Sequence, residues 1–217
     1  MYRLYTIFYI FQYLFNKIKK LSIFNDKAIV LKINKAAWNN SNENNFWKKT
    51  SDKELLYTLF TKSYWKIKAS KNYTKTEKNI DLGYVINFEI MTKENSKIHK
   101  IKNIKIKSEF NLNKDKNFYE LNKYLEILAL VYREIPEWIA FEEIFDVVET
   151  INNYEKIDEI KLILAKIKIK SLLWNLNVEH NDKIIEKILK FINISKIENI
   201  LKLTWINEEQ KKELDLV

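Results

Sequence analysis

Without a single cysteine, the chain can form neither a disulfide framework nor a thiolate zinc site. This is compatible with a reducing cytoplasm and does not require one. Gly83 is the lone glycine in 217 residues, which excludes a phosphate-cradling glycine loop and a dinucleotide fingerprint. Pro136 is the lone proline, and the two histidines, His99 and His180, lie far apart. No spacing of carboxylates suggests a metal or an acid–base pair, and no nucleophile sits in a strand–turn–helix elbow. Arg3 and Arg133 are the only arginines, so bidentate reading of base edges has little to work with. Enzymatic activity is not expected, and neither is a cofactor.

Long apolar runs are nearly absent too. Tyr2 to Phe15 is dense in aromatic and aliphatic residues, but it is short for a bilayer, and its lysines follow the run rather than precede it. Three readings of residues 1–24 stay open: an amphipathic helix on a membrane surface, an extra helix packed on the body, and a start codon placed too early. The expectation is a leader of unknown role on a protein with no membrane partner.

What the chain does have is charge, unevenly placed. Residues 1–117 hold 24 Lys+Arg against 10 Asp+Glu, and residues 118–217 hold 14 against 19. The halves carry +14 and −5, which together give the net +9. A Lys/Ile/Asn-rich coding bias would raise basicity, but it would not segregate it. A basic half favours a polyanionic partner.

The periodicity changes at the same boundary. Period-two alternation marks strands at Ala28–Ile33, Leu55–Thr61, Tyr64–Ser70, Tyr84–Met91 and Ile98–Lys107. Five short strands in this space predict a small closed barrel of the OB type, with the Asn-rich stretch 39–45 as a long first loop. After residue 117 the period becomes helical: Phe118 to Ile135, ended by Pro136, then Phe141 to Ile151, Ile160 to Leu176 and Ile184 to Ile192. Two short helices follow, with capping-box patterns Ser195…Glu198 and Asn207…Gln210. Glu142, Glu143, Asp146 and Glu149 are predicted to form a solvated face. The expected fold is α+β: a leader (1–24), a five-stranded OB-type β-barrel binding nucleic acid (25–112) and an all-helical domain (113–217).

The residues that carry chemistry are cations on the third strand and its loop: Lys62, Lys66, Lys68, Lys71, Lys75 and Lys78, with Tyr64 and Tyr73 as stacking faces. Alternating lysines put ammonium groups roughly 6.5–7 Å apart along one strand face. This spacing suits the backbone of an extended single strand, read by charge and not by base sequence. A plain solvated lysine face is the competing explanation.

These residues resemble the RecO family of bacterial recombination mediators. The resemblance is carried by Ala28-Ile-Val-Leu31, Leu59-Phe-Thr61, Lys66-Ile-Lys-Ala69, the basic loop at Lys71–Lys75, and Leu82-Gly83. In the helical part it continues through Tyr119-Glu-Leu121, Leu125-Glu-Ile-Leu128, Ile135-Pro-Glu137, Ile144-Phe145 and Ser171-Leu-Leu173. It implies a DNA repair protein that binds single- and double-stranded DNA and anneals complementary strands. With a RecR-like partner, such a protein loads the RecA recombinase onto strands coated by the single-strand-binding protein SSB, whose C-terminal tail it contacts. It implies a cytoplasmic location and DNA contact by the Lys71–Lys75 loop. The four-cysteine zinc module of many members is missing, so this would be a zinc-free, reduced version, and Asn72 stands where the family favours glycine. The rival from another class is an RNA-binding OB-fold module of the translation apparatus.

One glycine compares with about 15 at average usage of ~7%, while there are six tryptophans. Trp65, Trp138, Trp174 and Trp205 fall where the family or a helix end would welcome glycine. The expectation is that these arise from UGA codons meaning glycine. Genuine aromatic residues remain the alternative.

Overall fold

The computed structural model describes residues 23–35, 54–72, 79–91, 97–110, 118–137, 139–155 and 157–217. Among these residues, five strands precede six helices; the strands are β1 (Ile23–Lys35), β2 (Glu54–Thr61), β3 (Lys66–Asn72), β4 (Val85–Met91) and β5 (His99–Ser108). Six helices follow: α1 (Phe118–Glu134), α2 (Glu142–Asn153), α3 (Glu159–Leu172), α4 (Lys183–Ile194), α5 (Ile197–Ile200) and α6 (Glu208–Leu216). The change of hydrophobic period near residue 117 thus marks a change of secondary structure. The leader and the Asn-rich stretch lie outside the described residues, apart from the start of β1.

The five strands form one mixed sheet whose ladders close on themselves as a barrel, and helices follow it. Strand order is β1-β2-β3-β5-β4, with β4 also beside β1. Four of the neighbouring pairs are antiparallel over long registers. The pair β3–β5 is parallel and holds only Ala69↔His99 and Ser70↔Lys100. That seam is two residue pairs long, and the start of β3 is tied to the end of α1 through the Lys66 side chain.

The sheet is apolar on both sides where the helices cover it, which explains the continuous run Ala28-Ile-Val-Leu31. Ala28 and Val30 face the sheet's own interior with Tyr57, Leu59, Ile67, Ile86, Phe88 and Ile101. Ile29 and Leu31 alternate to the other side. With Phe60, Val85 and Phe110 they enter a core built mainly by the helices. Within that core α3 is buried nearly all round and packs against α1, α2, α4 and α6.

Helix starts follow their caps. Asp158 accepts a hydrogen bond from Lys161 N, Asp182 from Ile184 N and Ile185 N, and Asn207 with Gln210 forms a full capping box. The Ser195…Glu198 pattern is corrected. Ser195 closes α4, and the cap of α5 is Lys196, with no side-chain bond.

Gly83 is fixed by what surrounds it. Its φ is +77°, and a Cβ there would lie 2.4 Å from Tyr124 Cε1. Its carbonyl accepts from Tyr124 Oη at 2.9 Å and from Asn152 Nδ2 at 2.7 Å. Burial pushes the Tyr124 hydroxyl far above its ordinary range, and Phe110 stacks on its ring at 3.9 Å. The turn before β4 is thus clamped by α1 and α2 together.

Candidate nucleic-acid interface

The β2–β3 turn is built by short polar bonds. Thr61 Oγ1 donates to Trp65 O at 2.9 Å, and Ser63 Oγ donates to Asp26 Oδ1 at 3.0 Å. This aims Lys62 and Lys66 at the helices. Lys62 Nζ lies 2.8 Å from Asp146 Oδ1 and 3.5 Å from Glu142 Oε1, and these carboxylates raise its pKa. On β1, Lys27 Nζ meets Glu149 Oε1 at 2.6 Å. Glu142, Asp146 and Glu149 recur at helical spacing on α2, so the face expected to be solvated is a docking stripe for lysines. Glu143 is exposed.

Lys66 departs furthest from its expected role. It is only 9% exposed, and its Nζ donates to Tyr132 O at 2.7 Å and to Ile135 O at 2.5 Å. It also sits 5.3 Å from the Tyr132 ring centroid. The last carbonyls of a helix lack intrahelical donors and carry partial negative charge, and Pro136 prevents α1 from continuing to satisfy them. Lys66 therefore caps α1. Burial lowers its pKa, partly opposed by Glu137. It is not placed to meet a phosphate. Lys168 does the same within the helical half, donating to Ile192 O and Asn193 O at the end of α4.

The remaining β3 candidates divide. Lys68 is exposed and lies 3.2 Å from Glu137 Oε1, a surface pair that an incoming phosphate can replace at little cost. Lys71 is half-buried at the end of the strand. Tyr64 lies against Phe24 at 4.8 Å and edge-on to Trp65 at 6.1 Å, and burial beside Asp26 raises its pKa. One side of its ring is already occupied. Tyr73, Lys75 and Lys78 lie outside the described residues, as does most of the Lys71–Lys75 loop.

The residues that present free charge are on β5. Lys97 just before the strand, and Lys100, Lys102, Lys105 and Lys107 on it, are exposed, and among the described residues their side chains have no ion pair or hydrogen bond. The β4–β5 ladder has two register shifts, one at Lys107 and one in mid-strand, and the second sets the phase of the row. Ile101 is buried, and Ile104 and Ile106 pack against the same interior. A spacing of three between Ile101 and Ile104 breaks the period of two. Asn87 pairs with Lys105 and Glu89 with Lys102, so Asn103 and Ile104 together face Phe88. Asn103 adopts φ +50°, a left-handed bulge position that asparagine tolerates. The bulge resets the phase, keeping the isoleucines inward and the lysines outward along the whole strand. A periodicity scan that permits one skipped residue would have found this row.

Beside it, a cleft of about 790 Å3 is lined by Asn25, Asp26, Asn87, Glu89, Asn103 and Lys105, among others. The Asn87 Oδ1 in it is buried without a hydrogen-bond partner. Among the described residues no group of three or more His, Asp or Glu side chains could hold a metal ion. No described helix is long and apolar enough to cross a membrane. No family model and no curated protein matches the chain.

Proposed function

We propose that this chain is a non-catalytic nucleic-acid-binding protein of the RecO-like, recombination-mediator kind. It would bind single- and double-stranded DNA in the cytoplasm and anneal complementary strands. With a RecR-like partner it would assist RecA loading on strands coated by SSB, whose tail it would contact. The observation that carries this reading is the division of cations on the strand half. Lys27, Lys62 and Lys66 are spent on the helices, while the β5 lysines are exposed and unpaired among the described residues. A surface of unpaired lysines gains counterion-release free energy on a polyanion, largely independent of base sequence.

Fluorescence annealing of complementary single strands, with and without SSB across a salt series, tests it. Annealing that persists on SSB-coated strands and weakens steeply with salt is the expected result. Tight binding without annealing reduces the reading to a general polyanion binder and makes structured RNA the next target. No binding at low salt overturns it.

A further inference from the structure

We infer that β5 is the track for a single strand, with phosphates riding on Lys100, Lys102, Lys105 and Lys107 and bases turned toward the adjoining cleft. This rests on the nucleic-acid reading above and specifies its contact surface. Lysines two residues apart on a strand lie roughly 6.5–7 Å apart, a spacing that successive phosphates of a nucleic-acid backbone can follow, and the cleft beside the row gives unpaired bases, not a duplex, somewhere to go. The cleft favours bases over phosphates for an electrostatic reason. Asp26 and Glu89 repel phosphate, yet carboxylates and amides accept and donate hydrogen bonds to base edges. Asn87 Oδ1 is an acceptor still lacking a donor. Glu89 is also paired in register with Lys102, which makes Lys100, Lys105 and Lys107 the stronger phosphate contacts.

The test is binding of a fluorescent single strand by the full chain at several salt concentrations. Neutralising about four phosphates on a single strand gives a log–log salt slope of roughly −3. The combined variant Lys100→Glu, Lys105→Glu, Lys107→Glu is expected to lose roughly 100-fold or more in affinity and most of that slope. These side chains are exposed, so an unchanged thermal melt is expected and shows that the variant is folded. Asn87→Ala is expected to weaken single-strand binding a few-fold, leaving the slope and duplex binding unchanged. A triple variant that binds like the parent, while Lys68→Glu or changes at Lys75 and Lys78 abolish binding, overturns the assignment to β5 and leaves the general reading intact. A parent chain that binds no nucleic acid removes both.

A separate observation carries a second inference, about residue 174. Helix α3 ends in two bonds, Trp174 N to Ser171 O at 3.0 Å and Asn175 N to Lys170 O at 2.9 Å. Together they form the Schellman motif, whose reversing position is usually glycine. Trp174 occupies that position at φ +61°, where its Cβ is strained, and it is 93% exposed. No packing compensates the strain. We infer that the protein made in its source cell carries glycine here, from a UGA codon read as glycine. The inference covers Trp174 alone. Trp65 and Trp205 do not have positive φ, which corrects the expectation that they too occupy glycine turns, and Trp38, Trp47 and Trp138 lie outside the described residues.

Sequencing codon 174 and mass spectrometry of the native peptide decide it. TGA with a glycine peptide is expected; TGG, or a tryptophan peptide, overturns it. In recombinant protein, Trp174→Gly is expected to raise Tm by roughly 2–4 °C. Trp174→Ala, which keeps a Cβ, is expected to raise it less.

Discussion

Strands β3 and β5 both present lysines to the outside of one sheet, and the two rows have opposite uses. On β3, Lys66 is buried on the carbonyls that end α1, and Lys68 lies beside Glu137. On β5, the lysines meet no ion-pair or hydrogen-bond partner among the described residues. What differs is the neighbour rather than the residue type or its spacing: the end of α1 receives Lys66, while the β5 lysines stay exposed. A charged row on a strand therefore signals binding only when nothing from elsewhere in the chain lands on it.

The largest effect is expected where the helices clamp the sheet. Gly83→Ala drives a methyl group into the Tyr124 ring and strains a left-handed turn. It should cost roughly 3 kcal/mol in urea unfolding. Next, Lys66→Met leaves the Tyr132 and Ile135 carbonyls buried without a donor. It should destabilise by roughly 2 kcal/mol and leave DNA affinity unchanged in a titration of the folded protein. A loss of affinity as large as that of the β5 triple variant would erase the contrast between the strands. Lys27→Ala, which removes the contact with Glu149, is expected to cost only about 0.5–1 kcal/mol, since the pair is partly exposed.

The smallest effect sits at the seam where the two strands meet. His99, paired with Ala69, has its pKa lowered by burial, and its Nδ1 is buried without a partner. Below the ordinary value of about 6.5 the unfolded chain takes up a proton that the folded chain resists. Stability is thus expected to fall as pH drops from there through the lowered folded value. In His99→Gln this part of the acid slope should vanish from Tm measured against pH; an unchanged slope would place the titrating group elsewhere.

Much of the architecture was readable from periodicity alone. Alternation at Tyr84–Met91 names a face whose Ile86, Phe88 and Ile90 are buried, whereas the stripe that starts at Phe118 is buried only at Leu128, Val131 and Ile135, with Phe118 and Leu125 exposed. Periodicity cannot say what covers a face. That is why Lys66 read as a free cation, and why Glu142, Asp146 and Glu149 read as solvated when two of the three hold Lys62 and the third Lys27. Asn103 hid the β5 row for a related reason. The strand itself was expected over Ile98–Lys107, but alternation on either side of the bulge is out of phase, so its lysines did not line up as one row. Ser195…Glu198 failed because a four-residue motif carries too little information to distinguish the end of one helix from the start of the next.

The clamp on Gly83 has a consequence for how the molecule can be taken apart. Ile29, Leu31, Phe60, Val85 and Phe110 belong to the strand half, but their burial is supplied by residues from α1 to α6. Cut from the helices, the sheet would expose these side chains to water together with the Gly83 carbonyl. The two halves are therefore expected to melt in a single cooperative transition. A strand half expressed alone should precipitate rather than bind, so loss of activity on truncation would report loss of a core and not the location of the DNA contact.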